Sequence, residues 1–218
     1  MNVANYLPEA KKLKNFILIF YTVACIGFTV PLTRELFIWL TPLALLLNVF
    51  LLLVFDQNKN KPTVYIAFLI CFLVGFGVEV IGVNTGILFG NYRYFEGLGF
   101  QLVNTPLIIG VNWLLLVYFS RNLIQKFTRS VFTQIIASSF IMVVYDVLLE
   151  QVAPLVRFWQ FENGEVPLKN YFTWFIVAIL LQAIVTLFKL KTENKLAKTL
   201  FAAQVIFFVC LFLILRQW

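Results

Sequence analysis

Long apolar stretches alternate with short polar ones along almost the whole chain. Apolar runs cover about 15–32, 36–55, 63–83, 104–120, 131–150, 170–188 and 199–215. Each is near the ~20 residues an α-helix needs to cross hydrocarbon, several at the short end. Neither the period-2 alternation of a half-buried strand nor the one-sided stripe of a surface helix dominates them. The pattern predicts an all-α, polytopic membrane bundle of about seven transmembrane helices, folded as a single integral membrane domain over 1–218. Pro62 and Pro106 fall near expected helix starts, where a missing N–H costs little.

Composition agrees with lipid as the solvent. Hydrophobic residues make up 61% of the 218 positions, well above the roughly 45–50% of soluble domains. Residues 1–14 are polar, and no small-residue cleavage site follows the first apolar run, so no cleaved leader is expected. Cys25, Cys71 and Cys210 all lie inside apolar runs, which suits small buried side chains rather than a disulfide framework. The chain has no histidine. That removes histidine-ligated haem, copper and non-haem iron, most zinc chemistry, and the commonest catalytic base.

The net charge of +7 raises nucleic acid as a partner, and its distribution argues against that. Lys11, Lys12, Lys14, Lys59, Lys61, Arg121, Lys126, Arg129, Lys189, Lys191, Lys195 and Lys198 fall in the N-terminal segment and the second, fourth and sixth connections. Only Arg34, Arg93, Arg157, Lys169 and Arg216 fall on the other side. With seven spans this is a positive-inside pattern, placing the N-terminus in the cytoplasm and the C-terminus outside. Trp218 reads as an interfacial aromatic.

Against this background a few residues are out of place. Glu79 and Asp146 lie inside apolar runs, and Glu150 closes one. An ionisable group at membrane depth is expensive and marks function by default. In the expected topology all three lie toward the outer ends of spans three and five. Asp146 and Glu150, four apart, share a helix face. Asn112 and Trp113 lie about halfway down span four. Asn170, Tyr171 and Trp174 open span six on the same side, and Asn84, Thr85, Tyr92, Tyr94 and Trp159 lie in or beside the outer connections. After span three, Gly86, Gly90, Gly97 and Gly99 permit sharp turns, so that segment is expected to bend back over the bundle as a lid or re-entrant loop. Arg93 and Glu96 within it should stay at the interface. The competing explanation is structural: polar residues between helices act as packing glue, tryptophans and tyrosines form interfacial belts, and Gly75, Gly77 and Gly82 serve close packing.

Carboxylic acids in an aromatic, low-dielectric pocket suggest one kind of chemistry. Burial favours the neutral acid, which can then donate a proton, and aromatic faces stabilise a nearby cation. Together these suit protonation of an alkene in a lipid-soluble substrate and shelter of the resulting carbocation.

The ordered blocks "VEVIGVNTGILFGNYRY", "TPLIIGVNW", "YDVLLEQVAP", "FW" and "PLKNYFTW" resemble the carotenoid biosynthesis membrane proteins, in particular carotenoid 1,2-hydratases of the bisanhydrobacterioruberin hydratase type. The resemblance covers about residues 60–180. It implies addition of water across the terminal C1=C2 double bond of an acyclic carotenoid, giving a tertiary alcohol at C1 without a cofactor or metal. It also implies a multi-pass protein of a prokaryotic cytoplasmic membrane, with lipid, a hydrophobic carotenoid and other carotenoid enzymes as partners. Glu79, Asp146 and Glu150 would be the catalytic set. Asn84, Thr85, Tyr92, Tyr94, Asn112, Trp113, Trp159, Asn170, Tyr171 and Trp174 would hold water, orient the acids or line the end-group pocket.

Other classes stay open on residues alone. A lycopene cyclase begins with the same protonation. A prenyltransferase needs paired aspartate-rich motifs, and "DVLLE" is the only comparable stretch. A retinal protein needs a lysine inside the last span, whereas Lys198 is at its edge. A proton-coupled transporter is the non-enzyme alternative, although no duplicated half-repeat is visible.

Overall fold

The computed structural model describes residues 10–56 and 62–216; Lys59, Lys61 and Trp218 lie outside these. Among the described residues are seven α-helices: α1 (Ala10–Thr29), α2 (Pro31–Val54), α3 (Pro62–Thr85), α4 (Ile108–Ile124), α5 (Val131–Val152), α6 (Leu168–Leu187) and α7 (Ala197–Leu215). Helix is the form expected here, because a backbone in hydrocarbon must satisfy its N–H and C=O groups internally. Each helix overlays one apolar run. All but α4 are long and apolar enough to cross a membrane by length and composition, whereas α4 has 17 residues. The chain is an integral membrane protein built as a polytopic helical bundle.

Helix ends follow local chemistry. Pro31 and Pro62 open α2 and α3. The Ser130 hydroxyl accepts a hydrogen bond from the Thr133 N–H and caps α5. Pro106 lies just before α4, in a short strand. The first helix begins at Ala10 rather than near residue 15, since lysine and alanine tolerate helix as well as leucine does.

Large side chains such as Leu32, Phe132, Phe172 and Leu187 are exposed, as expected of a bundle whose surroundings are apolar. The helices enclose a core containing Trp113, Phe119, Met142, Leu181 and Leu200. The closest helix pairs are α5 with α6, α1 with α7, and α3 with α4.

The α3–α4 connection folds back onto the bundle. It contains β1 (Tyr92–Tyr94), a 3-10 turn at Glu96–Leu98, β2 (Gln101–Leu102) and β3 (Thr105–Pro106). β2 pairs antiparallel with β3. β1 pairs antiparallel with β4 (Trp159–Phe161), in the α5–α6 connection, with Tyr92 opposite Phe161 and Tyr94 opposite Trp159. Side chains alternate across a strand, so "YRY" and "WQF" each send two aromatics inward and one polar residue outward. Tyr92, Trp159 and Phe161 are buried, Tyr94 is partly buried, and Arg93 and Gln160 are exposed. This ribbon defines the strand end of the bundle. The Lys169 ammonium donates to the Gly86 carbonyl at 2.8 Å and the Thr173 hydroxyl to the Leu88 carbonyl at 2.6 Å, tying the connection to α6.

Two glycines deserve their positions by close approach. A Cβ on Gly75 would fall 2.6 Å from Trp113 Cβ, so α3 and α4 come together only because none is there. Gly90 has φ +109° and faces Pro167. Gly86 and Gly99 also have positive φ, whereas Gly97 does not and instead passes close to the Arg157 carbonyl. Gly77, expected as a packing residue, has open space beside it.

Candidate functional site

Four helices, α3 to α6, and the ribbon bring the acidic groups to one place. Glu79 is 4% exposed, Asp146 0% and Glu150 7%. They line a cavity of about 20 Å³ together with Tyr92, Tyr94, Asn112, Trp113, Trp159, Asn170 and Trp174. Phe89, Ile109 and Phe161 complete its wall. That volume suits about one water molecule.

Glu79, on the last turns of α3, is held by three donors. Tyr92 and Tyr94 each donate an O–H to its Oε2 at 2.7 Å, and the Trp113 indole N–H donates to Oε1 at 2.9 Å. The three come from β1 and α4, so the acid's position depends on the ribbon being formed. Burial first, and the Glu79 carboxyl second, push the Tyr92 and Tyr94 phenols above the ordinary tyrosine value, which keeps both as O–H donors. Trp113 stacks on Trp174 with ring centroids 3.9 Å apart, joining α4 to α6 over the cavity.

Asp146 and Glu150 lie one turn apart on α5 and share one amide. The Asn170 Nδ2 donates to Asp146 Oδ2 at 2.9 Å and to Glu150 Oε1 at 3.4 Å. Glu150 Oε2 accepts from the Trp159 indole N–H at 2.9 Å. Asp146 Oδ1 is buried and has no hydrogen-bond partner among the described residues. A buried carboxyl oxygen left unpaired is costly, and this one belongs to a residue lining a water-sized space.

Asn84, Thr85 and Tyr171 are not in the cluster. Asn84 is exposed and donates to the Val80 and Val103 carbonyls at 2.8 and 3.0 Å while accepting from Asn104 at 2.9 Å. It braces the α3–α4 connection. The exposed Thr85 hydroxyl donates to the Ile81 carbonyl at 2.6 Å and accepts from the Ile87 N–H at 3.2 Å, closing α3. Helical residues step by about 100°, which turns both away from the face of Glu79. Tyr171, adjacent to Asn170, is turned by the same step and lines a shallow dent between α5 and α6 with Phe140 and Phe172.

Two larger spaces adjoin the cavity. On the strand end a wide cleft of about 610 Å³ is lined by Trp39, Arg93, Tyr94, Phe95, Glu96, Gly99, Phe100 and Gln101. Tyr94 belongs to both walls, and Arg93 and Glu96 are exposed. Between α1, α2 and α7 lies an apolar groove of about 240 Å³ whose lining includes Phe158, the neighbour of Trp159.

The family model of the carotenoid biosynthesis proteins matches residues 37–217. The chain belongs to that family. Matched residues include α3, α4, α5, α6 and the ribbon, so every group lining the acidic cavity of this carotenoid biosynthesis family member falls inside the match. No curated protein sequence and no solved structure matches the chain.

Proposed function

We propose that this protein is a cofactor-independent carotenoid hydratase, a hydro-lyase, adding water to the terminal C1=C2 bond of an acyclic carotenoid end group such as that of lycopene. The observation that carries the reading is the unpartnered Oδ1 of Asp146 in a water-sized cavity shared with two other carboxyl groups. Family membership supplies the substrate class.

Asp146, protonated, gives its proton to C2 of the alkene. A new C–H bond forms, the π bond breaks, and the positive charge settles on C1, where it is tertiary. The faces of Trp113, Trp159 and Trp174 stabilise that charge. Water attacks C1 and the resulting oxonium passes a proton to Glu150. Exchange between the two acids, both held by Asn170, returns the proton to Asp146, so the net change is one added water. Glu79, saturated with donors, remains a fixed counter-charge to the cation. Asn112, on the cavity wall, positions the water.

Tyr94 is the only residue that lines both the acidic cavity and the wide cleft among the described residues, which makes it the water entry. That supports hydration over cyclisation, where the same cation is quenched by loss of a proton in a dry site. We place the strand end on the outer face of a prokaryotic cytoplasmic membrane, because the positive-inside count puts Arg93, Arg157 and Lys169 on the outer side.

Expression in a lycopene-producing host followed by pigment mass analysis tests the reading. The expected product is heavier than lycopene by one water or two. A product of unchanged mass with a cyclised end would replace it with the cyclase reading. Unaltered pigment together with proton-coupled flux in proteoliposomes would replace it with a transporter.

A further inference from the structure

The acidic cavity, at about 20 Å³, is far too small to hold a long substrate. The rest of a long substrate must therefore lie elsewhere, and it must reach Asp146 through a wall. We infer that the apolar groove between α1, α2 and α7 is the binding site for the conjugated chain of the substrate, with the terminal alkene entering past Phe158 and Trp159. This rests on the carotenoid reading above.

Three observations point to that occupant. The groove is walled by rings, among them Phe20, Phe28, Phe37, Phe207 and Phe208; aromatic faces stack on flat π-systems, which a conjugated chain has and an acyl chain lacks. Its polar lining is already paired: Asn48 donates to the Tyr21 hydroxyl at 2.6 Å, Thr41 to the Phe37 carbonyl at 3.3 Å, and Gln204 accepts from Tyr145 at 3.3 Å. A hydrocarbon therefore fits without stranding a polar group, whereas a polar headgroup finds no partner. Finally, the groove and the acidic cavity are separated by one pair of neighbouring residues. Phe158 lines the groove, Trp159 lines the cavity, their rings lie 6.2 Å apart at 27°, and Trp159 is bonded to Glu150.

From Phe37 to Asn48 the wall extends roughly 16 Å along α2, at about 1.5 Å per residue. A chain lying there runs from the strand end toward the middle of the bundle and presents one terminus to the acids. Since the groove takes one chain direction, each end of a symmetric carotenoid is processed in a separate binding event.

The test uses the full-length protein in phospholipid nanodiscs with lycopene as the probe. Ala44→Phe and Ala24→Phe place a ring in the groove from α2 and α1. Each is expected to raise KM for lycopene about tenfold or more, and to do so with kcat nearly unchanged, since the loss is in binding. In an Asp146→Asn background, where lycopene binds without turnover, its visible circular dichroism should be present and should fall several-fold on adding Ala44→Phe. Phe172→Ala, in the dent between α5 and α6, should change neither readout. Wild-type KM and undiminished dichroism in both folded groove variants would overturn the inference, as would loss of the signal in Phe172→Ala. If the unmodified protein forms no hydroxylated pigment, the hydratase reading fails. If it does form it and the groove variants behave as wild type, only the groove assignment fails.

Discussion

Polar side chains are buried at both ends of the bundle, and the two groups are built differently. At the strand end they are acids facing a cavity. Away from it, Gln182 donates to Ser120 Oγ at 2.9 Å and to the Val117 carbonyl at 3.2 Å, Arg121 donates to Thr186 Oγ1 at 2.8 Å, and Asn122 donates to the Thr192 carbonyl. This second group consists of amides, hydroxyls and a guanidinium that join α4 to α6 and to the segment before α7. None of them lines a cavity described above. Hydrogen bonds of this kind hold helices together for around 1 kcal/mol or less each. Burial and polarity are thus common to both regions. Gln182 Oε1 and Asn122 Oδ1 are, like Asp146 Oδ1, buried without a hydrogen-bond partner among the described residues, so an unpaired oxygen is common to both regions too. What distinguishes the strand end is a cluster of three carboxyl groups around room for a reactant.

That contrast can be broken by substitution. The largest effect is expected from Asp146→Asn, which keeps shape and removes the acid. Hydrated product should fall by at least about 100-fold, the scale of losing a general acid, with the thermal midpoint in nanodiscs nearly unchanged. Wild-type product from this variant would remove Asp146 from the reaction. Gly75→Ala comes next. Its Cβ would meet Trp113, separating α3 from α4 and Trp113 from Glu79, so both activity and thermal midpoint should drop, by about 1–3 kcal/mol in stability. Tyr94→Phe deletes one of three donors to Glu79 and the polar part of the wall facing the cleft. A drop of about tenfold in kcat is expected, on the scale of one charge-assisted hydrogen bond, with binding of lycopene by circular dichroism retained. Smallest is Gln182→Met in the second region. Pigment conversion should equal wild type, and stability should move by about 1 kcal/mol or less. A loss of conversion there would show that the two regions are not separate in role.

Much of the fold was legible because lipid leaves the chain few options. Apolar runs of ~20 residues dictate helices, and Glu79, Asp146 and Glu150 stood out because their runs contain no other charged residue. The meeting of Trp113, Asn170 and Trp174 with them followed from matching depths on neighbouring spans. Facing was harder to read. Asn84, Thr85 and Tyr171 lie near the right depth and on the wrong side of their helices, which depth alone cannot reveal. The ribbon was missed although "YRY" and "WQF" carry a period-2 signal, because three-residue strands 65 positions apart pair only through tertiary contact. The groove left no mark at all. Its walls are mostly phenylalanine and leucine on α1, α2 and α7, and its few polar residues, such as Asn48 and Gln204, read as packing between helices; such residues look the same whether they face lipid, a neighbour or a ligand.

The β1–β4 pairing joins two connections that emerge far apart during synthesis. Glu79 enters the bilayer with α3 long before Trp159 and Asn170 exist, so its companions on α5 and α6 reach it only after the sixth helix has been made. Before that point its donors along the chain are Tyr92, Tyr94 and, from α4, Trp113. The order of the chain therefore gives the first acid its own phenolic escort within sixteen residues, and completes the cluster of three carboxyl groups only when α6 brings Asn170.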